Sequence, residues 1–123
     1  MVTTPSSFVT GNESILDSTK KYIGIAADDT SFDIDVIMAI NAAFMTLQQL
    51  DVGPIEGFAI SDSTSTWQDF ISGISQSVVP LYIGIRAKIA VDPPTNSTLL
   101  QCLKDQAAEL EWRLNGQEEH YAK

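Results

Sequence analysis

The sequence predicts a mostly α protein, a small helical bundle of about four to five helices with one loop or short extended segment over residues 53–66. Two long segments carry apolar residues at three- and four-residue steps, the spacing of one helix face. Each is bracketed by capping and stop residues, from Asp28-Asp29-Thr30-Ser31 to Gly53-Pro54 and from Asp92-Pro93-Pro94 to Asn115-Gly116. Between them, the Gly, Ser and Thr of residues 53–66 follow no such period.

A chain of 123 residues with 44% hydrophobic content is enough for one core. The expected division is a disordered segment at 1–11, one helical domain at 12–115 and a polar tail at 116–123. The net charge of −9 has the wrong sign for binding nucleic-acid phosphates and repels anionic lipid. No apolar run approaches the ~20 residues that span a bilayer, so no membrane contact is expected. Residues 1–10 lack the basic and apolar regions of a secretory signal, which places assembly in a reducing cytoplasm. Without export, the glycosylation matches at Asn12 and Asn96 read as helix-capping sequence.

The elements follow in order. Ile15, Leu16, Thr19, Tyr22 and Ile23 share a helical face, and Gly24 is placed to end that first helix. In the second, Val36, Ile37, Ile40, Phe44 and Leu47 form a core face, with Ala39, Ala42 and Ala43 permitting close packing. This helix is expected at the centre of the core, with its N-cap among Asp28 to Ser31 and its acids answering the macrodipole. Within 53–66, Phe58-Ala59-Ile60 suits a short extended piece. Thr66 and Asp69 approximate a capping box, giving one helical turn from Thr66 to Ile71.

Pro80 to Val91 is ambiguous by pattern. Ile83, Ile85, Ala87, Ile89 and Val91 alternate as a strand does, whereas Leu81, Tyr82, Ile85, Ile89 and Ala90 fit a helical face. Pro80 as a first helical residue and the stop at Asp92-Pro93-Pro94 tilt the reading towards helix. Arg86 and Lys88 then share a polar edge, placed to pair with acids on a neighbour. Leu100, Leu103, Ala107, Leu110 and Leu114 form a heptad seam on a last helix beginning near Ser97. Asn115-Gly116 offers its C-cap, leaving Gln117 to Lys123 as a polar tail or frayed continuation. Leu103, Leu110 and Leu114 are assigned to the core. Trp112 lies off the seam beside Glu109 and Arg113, either as a second core contact or as an interface anchor, where Trp and Arg concentrate.

Catalytic and ligand-binding chemistry is not expected. His120 is the sole histidine and has no orienting partner nearby in sequence; Cys102 is the sole cysteine and reads as a small inert thiol. Asp28, Asp29, Asp33 and Asp35 do not make a calcium loop, because the sixth and twelfth positions from Asp29 are Ile34 and Ile40. The glycines match neither a phosphate-cradling nor a dinucleotide-binding loop. No metal and no cofactor are therefore expected, and packing surface remains.

Two blocks resemble the small head-to-tail connector (adaptor) proteins of long-tailed bacteriophages and prophages. One runs from Ile15-Leu16-Asp17 through Lys21-Tyr22-Ile23-Gly24-Ile25 and Asp28-Asp29-Thr30-Ser31-Phe32-Asp33 to Leu50-Asp51-Val52-Gly53. The other runs from Tyr82 to Asp92-Pro93-Pro94, then Leu99-Leu100 and Glu109-Leu110-Glu111-Trp112-Arg113-Leu114-Asn115. Gly57-Phe58 and Thr66-Trp67-Gln68-Asp69-Phe70 add to the likeness, which covers roughly Ile15 to Asn115. It implies a non-enzymatic connector domain over 12–115 that self-associates into a closed ring, a dodecamer in the virion, beneath the portal protein. It further implies a downstream head-completion or tail protein as partner, a place in the virion neck, and DNA that passes without being specifically bound. It makes Pro80 to Val91 a helix. It gives Trp112 and the Leu seam an interface role and turns the tail after Asn115 towards the portal; the expected subunit or portal interface comprises Trp112, Arg113, Glu109, Arg86, Lys88, Gln117, Glu118 and Tyr121.

Two other classes compete. A head-completion or tail-terminator protein would be rich in strand. A small helical DNA-binding regulator is opposed by the net charge of −9.

Overall fold

The computed structural model describes residues 13–70 and 78–122, with side chains of the last helix as far as Asn115. The described residues form five helices and no strand: α1 (Ile15–Ile23), α2 (Asp33–Gln49), α3 (Trp67–Phe70), α4 (Val78–Val91) and α5 (Ser97–Ala122). The small helical bundle read from the sequence is the architecture found. The 1–11 segment lies outside the described residues, as do the side chains of Gln117, Glu118, His120 and Tyr121.

α1 begins where Ser14 Oγ accepts the Asp17 amide at 3.2 Å, and it ends at Gly24 in the left-handed region. There the amides of Gly24 and Ile25 both donate to Lys20 O, a carbonyl near the helix end. Its apolar face carries a cation: the Lys20 side chain is only 1% exposed, with Nζ 2.8 Å from Asp33 Oδ1 and 3.1 Å from Ala27 O. This pair binds α1 to the start of α2 and draws in the connecting loop.

The α2 cap differs from expectation. The N-cap is Phe32, without a side-chain cap bond. Asp29 instead accepts from Ser31 N and Oγ within a local turn, which holds its carboxyl below the ordinary range. Asp33 and Asp35 supply the negative charge in the first turn. At the other end the left-handed residue is Asp51, with φ 62°, and Val52 N donates to Leu47 O at 2.9 Å.

Residues 53–66 do not form a strand. Asn41 on α2 takes the role of a neighbouring strand, donating to Ile60 O at 3.0 Å and accepting from Ile60 N at 2.8 Å. Phe58 then packs edge-to-face with Phe44 and Phe70 at centroid distances of 5.1 and 5.3 Å. The expected helical turn is present as α3, and Asp69 accepts from Thr66 N at 2.9 Å as the capping box requires. Trp67 is buried there and donates through Nε1 to Ser18 Oγ on α1.

The centre of the core is α4, not α2 as the sequence suggested. α1, α2 and α5 each pack on α4, whose Val79, Tyr82, Ile83, Ile85 and Ala87 are all fully buried. A helix enclosed on several sides is apolar all round, so its period disappears from the sequence and strand-like alternation emerges by chance. Gly84 allows the closest approach, since a Cβ there would lie 2.9 Å from the Tyr22 ring on α1.

Val36, Ile40, Phe44, Leu47, Leu110 and Leu114 are buried, with Ile37 and Leu103 half-buried against them. α5 does not stop at Asn115-Gly116 but runs to Ala122.

Candidate subunit interface

α5 has two working sides. Ala107, Leu110 and Leu114 close onto the core, and Glu111 beside them reaches α4. The Tyr82 hydroxyl donates to Glu111 Oε2 at 2.6 Å, while Arg86 Nη1 lies 3.4 Å from the same oxygen and 2.5 Å from the hydroxyl. Arg86 also reaches Thr46 Oγ1 on α2 at 3.5 Å, so one cation ties three helices together. Burial, and then the Glu111 contact, push the Tyr82 phenol well above its ordinary range, keeping it protonated as donor.

One residue further on, the helix turns outward and Trp112 stands 77% exposed. Its role as a second core contact is thereby excluded. Arg113 and Glu109 flank it, paired with each other at 2.8 Å one turn apart. Among the interface candidates on α4, Arg86 is half-buried in the network above and Lys88 pairs with Asp92 at 3.2 Å. The sequence-read candidates therefore do not converge on one patch. Trp112, Arg113 and Glu109 form an exposed group, while Arg86 and Lys88 have partners within the chain.

The sequence reading missed a second exposed group. Ile34, Met38 and Met45 on α2 are 75%, 66% and 63% exposed, in one row on the side away from Val36, Ile40 and Leu47. The signal was available: from Val36 to Gln49 the chain has no charged residue, although a water-facing helix normally carries several. Lys20, another miss, sits four residues after Leu16 and three before Ile23, on the apolar face itself.

Among the described residues no group of three or more His, Cys, Asp or Glu side chains is placed to hold a metal, and no helix is long and apolar enough to cross a membrane. The acids at the α2 entry have local work, Asp29 in its turn and Asp33 on Lys20.

Fold and surface together define a helical packing module: a closed core, ion pairs at its edge that tie the helices together, and large apolar side chains turned outward. A family model described as phage connector protein matches residues 15–121, nearly the whole chain, and the chain belongs to that family. No curated protein and no solved structure gives a significant match. Membership assigns a structural role in the virion, in association with other phage head or tail proteins.

Proposed function

We propose that this chain is the subunit of a head-to-tail connector ring that docks beneath the portal and extends the DNA channel towards the tail. The observation that carries this reading is the match over residues 15–121, which spans α1 to α4 and all but the last residue of α5. Self-association into a dodecameric ring, a downstream head-completion or tail protein as second partner, and assembly in the bacterial host cytoplasm before incorporation into the virion neck complete it. Trp112, Arg113 and Glu109 face a neighbouring subunit in this reading, and the end of α5 with Gln117, Glu118 and Tyr121 faces the portal. The domain at 12–115 is the connector body and 116–123 its contact arm.

The net charge of −9 supports a conduit role, since acidic walls let DNA pass without the attraction a basic lumen creates. The test is light scattering and negative-stain imaging of the purified chain with its cognate portal. Rings seated on the portal are the expected result, and failure to bind portal under every condition overturns the reading.

A further inference from the structure

The α2 row of Ile34, Met38 and Met45 has no use within the subunit. Met38 and Met45 lie on a stretch free of charge from Val36 to Gln49, in a chain of net charge −9, while Ile34 stands just before it between Asp33 and Asp35. An exposed apolar row from which charge is missing has the composition of an interface centre. α2 and α5 both pack on α4, and the row and Trp112 each stand on the side of their helix turned away from the core. Their exposures show that Trp112 does not cover the row of its own molecule.

We infer that the α2 row is the seat for Trp112 of a second copy of this chain, in a head-to-tail contact. The inference rests on the connector reading, which supplies the neighbouring copies, and adds the surfaces that join them. Charge selects the occupant. Two copies that each carry −9 repel, so they approach best through a face without carboxylates. On α5, Arg113 neutralises Glu109 beside the indole, and on α2 the part of the row formed by Met38 and Met45 offers a basic partner nothing to pair with. Methionine thioethers adapt to an aromatic ring and make favourable sulfur contacts with it, and Trp is a rigid anchor.

Because seat and anchor are different surfaces, the contact is heterologous and closes only through rotation. The row covers about 16 Å of helix at the α-helical rise, a small part of the ~800 Å² per partner in a stable interface. Copies therefore associate weakly alone and are held by the assembly's other contacts.

Cross-linking on the full chain tests this, in a Cys102→Ser background that removes the exposed native thiol. Ala42→Cys borders the row and Ala108→Cys lies one turn before Trp112, both exposed. The two variants, with distinguishable tags, are mixed at high concentration and treated with a bifunctional maleimide, with and without cognate portal. The expected product joins an Ala42→Cys copy to an Ala108→Cys copy. Adding Met38→Lys to the first should lower that product by roughly tenfold or more, with circular dichroism unchanged. Products joining like variants, or a mixed product indifferent to Met38→Lys, overturn the seat. A chain that binds portal without the mixed product loses the seat but keeps the connector reading. The mixed product without portal binding does the reverse.

Discussion

The Tyr82 hydroxyl donates to Glu111 Oε2 at 2.6 Å, joining the central helix to the inward side of the helix whose next residue, Trp112, faces solvent. This bond holds α5 in the rotation that its apolar stripe sets, with Leu110 and Leu114 turned in and Trp112 turned out.

Tyr82→Phe should cost about 1.5–3 kcal/mol, the usual value of a hydrogen bond to a charged group. The folded phenol titrates above its unfolded value of 10.0, so its contribution is complete below about pH 10 and is lost as pH rises through the folded value. Urea unfolding at pH 8 and pH 11 should show wild type losing more stability than Tyr82→Phe across that interval. Equal losses in the two proteins contradict the assignment.

Lys20→Met exchanges a buried cation for an apolar chain of similar length and leaves Asp33 without its partner. Asp33 Oδ1 is buried but the side chain as a whole is 26% exposed, so the carboxylate keeps part of its contact with water and the loss should be about 1–3 kcal/mol, below that of a fully buried pair. Adding Asp33→Asn should recover part of it. A double-mutant cycle with no coupling would show that the pair is only incidental contact.

Gly84→Ala should destabilise by about 1–2 kcal/mol despite the better helix propensity of Ala. The new Cβ meets the Tyr22 ring at 2.9 Å and must part α1 from α4. Pairing it with Tyr22→Leu, which removes the ring, should restore part of the loss in thermal melts.

Thr19 Oγ1 is buried with no hydrogen-bond partner among the described residues. Thr19→Val keeps the shape and removes the orphaned hydroxyl, so it should raise stability by about 1 kcal/mol. A destabilised variant would reveal a partner for the hydroxyl.

Trp112→Ala should leave the unfolding free energy within about 0.5 kcal/mol of wild type, as for other exposed positions, while weakening ring assembly. Denaturant melts and assembly with portal separate the two effects. A large loss of monomer stability with assembly intact would contradict the outward role.

How much of this was legible depended on how many sides of each helix meet water. α5 has one inward stripe, so Leu103, Ala107, Leu110 and Leu114 could be read from spacing alone. α4 is covered by α1, α2 and α5, so the contrast that reveals a helix was absent. In α2 the core-face spacing passes over the outward Met38 and Met45, whose one signal is that the side opposite the core carries no charge from Val36 to Gln49. Lys20 was hidden by the opposite effect: a charge on an apolar face looks like noise until Asp33, thirteen residues later, is brought to 2.8 Å. Asn41 holding Ile60 is likewise a contact between distant residues with no local signature.

The measurement that tests the central claim most directly is the mass of the complex formed when this chain is mixed with its cognate portal, by native mass spectrometry or sedimentation. The account predicts one discrete closed assembly in which ring and portal migrate together. A chain that leaves the portal at its free mass under all conditions would contradict it.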